Sequence, residues 1–217
     1  MLTVFMVGLM IGASPSYART KLWGKEVRAS RLNDVVATAT GIVRKPQTSR
    51  KKTRQRKPDV IYYPTPPETV AEMLRLANIK QGDVLYDLGS GDGRIPIAAA
   101  KQFGIRAVGI EIDPKLITEA KANARSAGVE QLVRFRNEDM FRIDVSEATV
   151  VTLYLSEKLN VLLRPKLLRE LRPGSRIISH DFRMGDWKPE QTVRVPWGKL
   201  YRTVYLWTVP ARRKKIR

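Results

Sequence analysis

From Asp59 onward, short apolar runs alternate with stretches whose apolar residues recur at helical spacing. The runs predict strands at Val84–Asp87, Ala107–Glu111, Val133–Arg136, Thr149–Leu155, Arg176–His180, Thr192–Val195 and Tyr201–Val209. Ahead of the first, Val70, Met73, Leu74 and Ala77 fall at i, i+3, i+4 and i+7. Thr65 and Glu68 read as a T-x-x-E capping box and Pro66 suits a first helical position, which predicts a helix over about 66–78. Further helices are predicted over about 93–103, 114–127 and 157–171, with Asp113-Pro114 starting the second of these and Gly128 stopping it. Strands alternating with helices imply an α/β fold of βα units around a mostly parallel sheet. The last two strands leave no room for a helix between them, so they are predicted to pair antiparallel at one sheet edge.

The pattern is absent before Asp59, which divides the chain into an arm (1–58), a folded domain (59–209) and a short basic tail (210–217). Of 217 residues, 40 are Lys or Arg and 21 Asp or Glu, a net charge of +19. Residues 1–58 hold 13 basic and 2 acidic side chains, so more than half of that excess sits in the arm. Ser49–Lys57 has six basic residues and no apolar periodicity, so nothing in it offsets the entropy of ordering, and it reads as a disordered arm. Such charge admits a nucleic acid, a membrane surface or an acidic protein as partner. Leu2–Ala13 is apolar and precedes Ser16-Tyr17-Ala18, a pattern resembling a signal-peptidase site. No basic residue precedes the run and several follow it, which favours a cytoplasmic location. Signal peptide, membrane anchor through residues 1–18 and disordered tail all remain open. The chain has no cysteine and one histidine, which leaves no disulfide framework, no thiol nucleophile and no expected metal centre.

The richest stretch for chemistry is Val84-Leu85-Tyr86-Asp87-Leu88-Gly89-Ser90-Gly91-Asp92-Gly93-Arg94, an apolar strand ending in a carboxylate, three alternate glycines, then a helix. Glycines permit the backbone to turn tightly and a ligand to approach it, and the helix start offers unpaired N–H donors. A dinucleotide fingerprint is G-x-G-x-x-G and cradles pyrophosphate; here the spacing is G-x-G-x-G, and Asp87 and Asp92 would repel phosphates. Both carboxylates instead suit a cationic ligand such as S-adenosylmethionine, which carries an ammonium and a sulfonium. Glu111, ending the next strand, is placed to accept both hydroxyls of a ribose, a requirement shared with nicotinamide dinucleotide sites. Asn137-Glu138-Asp139-Met140 puts polar and apolar groups where an adenine amino group and ring face would be read.

In order and spacing these residues resemble class I S-adenosylmethionine-dependent methyltransferases over about 59–209. Tyr63-Pro64-Thr65-Pro66, the loop at Tyr86–Arg94 and Ser179–Trp187 (SHDFRMGDW) are similar to small bacterial members of that class. Those are related to the mitochondrial lysine methyltransferases that modify the adenine nucleotide translocase and the c-ring protein of ATP synthase. The resemblance implies a Rossmann-like seven-strand sheet of order 3-2-1-4-5-7-6, mostly parallel with one antiparallel edge strand, helices on both faces and the cofactor above the C-terminal strand ends. It also implies that Asp87, Gly89, Gly91 and Gly93, with Ser90 in the same loop, line the methionine moiety, Glu111 the ribose and Asp139 the adenine. Thr65, with its proline-rich turn, is expected over the cofactor's carboxylate.

The acceptor side is expected beyond the fourth strand. Enzymes that methylate base amines commonly carry N-P-P-Y or D-P-P-Y there, whereas this chain has Thr152-Leu153-Tyr154-Leu155. A lysine must arrive neutral, which an apolar aromatic channel assists; Tyr154 is the candidate to orient the amine, with Tyr63, Phe182 and Trp187 as walls. His180 and Asp181 are candidates for a general base or for fixing the Met184–Trp187 loop. The resulting expectation is a monomeric methyltransferase acting on lysine in a protein. Two alternatives stand beside it: an RNA methyltransferase, and a non-catalytic nucleic-acid-binding module on the same scaffold.

Overall fold

The computed structural model of the protein describes residues 62–211, which form four helices and seven strands. In chain order they are α1 (Pro67–Leu76), β1 (Val84–Leu88), α2 (Arg94–Phe103), β2 (Arg106–Glu111), α3 (Pro114–Ser126), β3 (Val133–Asn137), β4 (Val150–Leu153), α4 (Glu157–Glu170), β5 (Arg176–His180), β6 (Gln191–Trp197) and β7 (Leu200–Thr208). The arm and apolar start assigned to 1–58, and most of the basic tail, lie outside the described residues.

The strands lie in the order β3-β2-β1-β4-β5-β7-β6. Neighbours from β3 to β5 run parallel, while β7 runs antiparallel to both β5 and β6. The hairpin of β6 and β7 therefore inserts its second strand next to β5 and leaves its first at the edge. Every residue of β1 and β4 is buried, as central strands of a sheet covered on both faces require. Val150, Ile178, Val204 and Leu206 share a core with α1, α2 and α3. Residues of opposite parity, among them Val151, Ile177 and the fully buried Trp207, face the other side. There α4 docks, and Asn160 Nδ2 donates to Ser179 Oγ at 3.0 Å.

Two features of this frame set up the site. The C-terminal ends of β1, β2, β3 and β4 lie side by side, with Asp87 in register with Gly109 on one side and Thr152 on the other. His180, the last residue of β5, pairs with Val204, so Leu200–Thr203 and their partners Arg194–Trp197 run on past it. At roughly 3.3 Å per residue the hairpin projects about 13 Å beyond β5.

One predicted local motif is replaced. Thr65 does not cap α1: the N-cap is Pro66, with no side-chain bond, and Pro67 is at the first helical position. A proline there has no N–H to satisfy, which lessens the need for a cap. The Thr65 hydroxyl instead lies 3.2 Å from Nδ1 of His180, 115 residues away and buried.

Candidate active site

The turn from β1 into α2 wraps one side of a cavity of about 420 Å³. Gly89, Gly91 and Gly93 have φ of 83°, 52° and 81°, the left-handed region where a side chain is strained. A Cβ on Gly91 would run into the ring of Tyr62 and one on Gly93 into the ring of Phe135. The amides of Gly89 and Ser90 both donate to Ile110 O, at 2.8 and 3.0 Å, which pins the loop to the end of β2. Gly89 and Ser90 line the cavity, while Gly91 and Gly93 shape the turn behind it.

Three carboxylates surround this loop, each in a different electrical setting. Glu111 is buried, and its Oε1 accepts from the amides of Ile112 and Asp113 at 2.7 and 2.9 Å while Oε2 accepts from Gly91 at 3.0 Å. Three backbone donors fix its orientation at the cavity wall, with a lone pair on Oε2 left for a hydroxyl donor. Asp87 accepts from the Thr152 hydroxyl at 2.7 Å. Burial, reinforced by the nearby charges of Glu111 and Asp92, pushes its pKa up to about 7 against that hydrogen bond. Asp92 differs: Arg94 binds it through Nε and Nη2 at 3.0 and 2.7 Å. Burial pulls Asp92 upward, but those bonds and the guanidinium charge outweigh it and hold the carboxyl below its ordinary range. The expectation that both aspartates present free negative charge is thus corrected. Asp92 is neutralised by Arg94, whose Nη1 also donates to Thr65 O at 2.9 Å and ties the Tyr63–Pro66 turn to the loop.

At the β3 end, Glu138, Asp139 and Met140 line the cavity. Asp139 Oδ1 accepts from the amide of Phe141 at 3.0 Å. Asn137 works instead on the backbone, donating to the carbonyls of Glu111 and Ile112 at 3.0 and 2.8 Å.

The opposite end is aromatic. Tyr154, directly after β4, lines the cavity together with Tyr63, Leu155 and Leu159. Its ring stacks on His180 with centroids 3.8 Å apart and on Phe182 at 6.2 Å. Burial is the main cause of a raised Tyr154 hydroxyl pKa, with Arg202 opposing it. His180 is fully buried behind that tyrosine, and burial, with Arg202 nearby, pulls its pKa down to about 4 despite the opposing charge of Asp181. It is neutral at physiological pH. Asp181 Oδ2 stands 3.4 Å from His180 Nε2, but among the described residues Nε2 has no hydrogen-bond partner, and which way the Thr65 hydroxyl and Nδ1 bond follows the imidazole tautomer. Asp181, at φ 60°, also accepts from Arg202 Nη1 at 3.0 Å and from the amide of Thr203 at 2.8 Å.

Trp187 does not stand at the cavity. It packs 6.0 Å from Trp207, whose indole N–H donates to its carbonyl at 2.8 Å. The Met184–Trp187 loop is held from α4, where Arg164 donates to Met184 O at 2.9 Å and pairs with Asp186, so its anchor is Arg164 and not His180 or Asp181. Tyr62, Arg94 and Thr152 are site residues to which the sequence alone assigns no role. Thr152 becomes recoverable once β1 and β4 are placed side by side, since it is in register with Asp87.

Buried Asp87, with a hydroxyl for company and no cation paired with it among the described residues, and Glu111, preset by three amides, fit the ammonium-bearing and ribose portions of S-adenosylmethionine. Comparisons with known proteins agree. The family model described as the ANTKMT methyltransferase domain matches residues 87–191. A protein-lysine N-methyltransferase of Saccharolobus islandicus (strain REY15A) is 45% identical over 153 residues, 70% of this chain and 95% of that protein. The adenine nucleotide translocase lysine N-methyltransferase of Mus musculus is 35% identical over 125 residues, 57% of this chain, and the match spans 54% of that relative's length. A crystal structure of an RNA methyltransferase from Salinibacter ruber in complex with S-adenosyl-L-homocysteine is 53% identical, with a TM-score of 0.66 over 70% of this chain and 97% of that one. With a loop, a cavity and relatives that all agree, the chain belongs to the class I S-adenosylmethionine-dependent methyltransferases, in the ANTKMT-type family that includes the protein-lysine enzymes.

Proposed function

We propose that this enzyme methylates the side-chain amine of lysine in a protein substrate. The observation that carries the reading is the acceptor end of the cavity, where Tyr154 is backed by a buried neutral imidazole and flanked by Tyr63, Leu155 and Leu159. Bound S-adenosylmethionine supplies a methyl group on a sulfonium, already activated for displacement. The chain's part is then alignment, exclusion of water and delivery of an unprotonated amine. The aromatic and aliphatic wall removes solvent from the incoming ammonium, lowers its pKa and so favours loss of its proton before transfer. Tyr154 accepts a hydrogen bond from the amine and points its lone pair inward. His180 positions the Tyr154 ring by stacking, and Asp181 holds Arg202 and the start of β7 beside it; neither is required to carry a proton. The Saccharolobus relative's name supports the same substrate class.

A second reading, methylation of RNA, draws on the name of the Salinibacter protein and on the chain's net charge of +19. The two separate in one measurement. Tritiated S-adenosylmethionine is incubated with the enzyme and a whole-cell extract, and the product is divided between protease and ribonuclease digestion. Label released by protease and recovered as methyl-lysine is the expected result; label released by ribonuclease alone would replace lysine with RNA.

A further inference from the structure

The hairpin of β6 and β7 projects past the end of β5 beside the acceptor end of the cavity, and its outer part is poorly covered. Leu200 and Tyr201 are 63% and 54% exposed, and Tyr63, on the cavity wall, is 53% exposed. A stack joins wall to hairpin: the Arg202 guanidinium lies 4.0 Å from the Trp197 ring and 6.0 Å from that of Tyr63. Trp197 is in register with Leu200, so apolar surface continues from the cavity mouth to the hairpin tip. The charge there is one-sided. Arg202 is occupied by Asp181, but among the described residues no carboxylate lies within ion-pair distance of Arg194 or Lys199. Arg194 is exposed and stacks 4.2 Å from the Tyr201 ring on the face of the hairpin opposite Trp197 and Leu200, so a segment lying along the apolar face reaches it by passing over the tip, where Lys199 is also exposed.

We infer that this projecting hairpin is the docking ledge for the polypeptide segment flanking the methylated lysine, and that it selects segments carrying carboxylates together with an apolar side chain. The inference rests on the lysine reading above and adds the sequence preference. Exposed aromatic and aliphatic groups beside arginines are the composition of surfaces that bind peptides through apolar anchors and charge steering. A ledge about 13 Å long matches roughly four residues of extended chain, so the selected residues lie within about four positions of the lysine. A nucleic acid would also meet the cations, but Arg202 and Arg194 already cover one face of the Trp197 and Tyr201 rings, and Leu200, the more exposed of the two apolar residues at the tip, offers a base no π-face to stack on.

The test uses the full chain and two lysine peptides, one with Asp and Leu within about four positions of the lysine, the other with Lys and Ser at those places. Binding is read by fluorescence anisotropy in saturating S-adenosylhomocysteine, and transfer by kcat and KM. Wild type is expected to favour the acidic peptide by about tenfold, through KM. Arg194→Glu with Lys199→Glu should abolish or invert that preference in both readouts, with kcat and cofactor affinity unchanged. Leu200→Ser should weaken the acidic peptide alone. Equal discrimination by wild type and the charge-reversed protein overturns the ledge, as does a charge-reversed protein that loses only RNA methylation. Charge-dependent peptide binding without methyl transfer to any lysine overturns the lysine reading and leaves the ledge standing.

Discussion

Asp87 is a carboxylate that the fold buries beside a hydroxyl while other carboxylates face it, so its ionisation works against the folded state. In an unfolded chain it ionises near its ordinary value, whereas in the protein it holds its proton until about pH 7. Stability therefore falls as pH rises across that window and levels off above it. His180 acts in the opposite sense. The unfolded chain accepts a proton on it near its ordinary pKa, the folded protein refuses one until about pH 4, and stability falls as pH drops between the two. Asp87→Asn keeps a partner for Thr152 and removes the charge. It is expected to raise the Tm at pH 8 by about 3 °C and to weaken S-adenosylmethionine binding by about tenfold or more, as read by thermal denaturation and calorimetry. Because a cation favours ionised Asp87, wild-type affinity for the cofactor should climb as pH is raised through 7, and the variant should lose that slope. A variant whose affinity keeps the wild-type slope would move the titrating group elsewhere.

At the scale of elements, the turn between β1 and α2 depends on backbone conformations that side chains resist. Gly93 is the sharper case, since a Cβ there meets Phe135 of β3 as well as an unfavourable φ. Gly104 ends α2 at φ 65° with open space around it. Gly93→Ala should therefore cost about 2–4 kcal/mol and Gly104→Ala only about 1, measured by urea denaturation. Equal losses would mean that Phe135 yields. Much of this level was legible in the sequence: β5 has the predicted bounds and the other strands differ from them by a few residues at most, because period and glycine punctuation report local structure directly. The Thr65 cap misled because its real partner, His180, is brought near only by the sheet. Asp92 misled for a nearer reason: Arg94, two residues on, turns back to neutralise it, and a charge pattern read by type alone does not reveal which side chains meet. Glu111 was legible as an acid ending β2 at the site, where it lines the cavity, but the three amides that aim it were not, since they arise from how the β1 turn folds onto the end of β2.

For the whole molecule, the arm and the domain divide the charge: residues 1–58 contribute +11 and the remainder +8 of the total +19. The described residues that line the cavity lie between Tyr62 and Leu159. Removing residues 1–58 is therefore expected to leave cofactor affinity within about twofold of wild type by calorimetry while flattening any salt dependence of substrate capture. A protein that no longer binds cofactor after this removal would place part of the arm in the site. The order of the sheet has a consequence for synthesis. β6 emerges from the ribosome before β7, yet it reaches the sheet only through β7, which also seals the open side of β5. Until β7 has been made, two strand edges remain bare on the nascent chain, so a premature stop near Gly198 would release a sticky, aggregation-prone fragment and not a shorter enzyme.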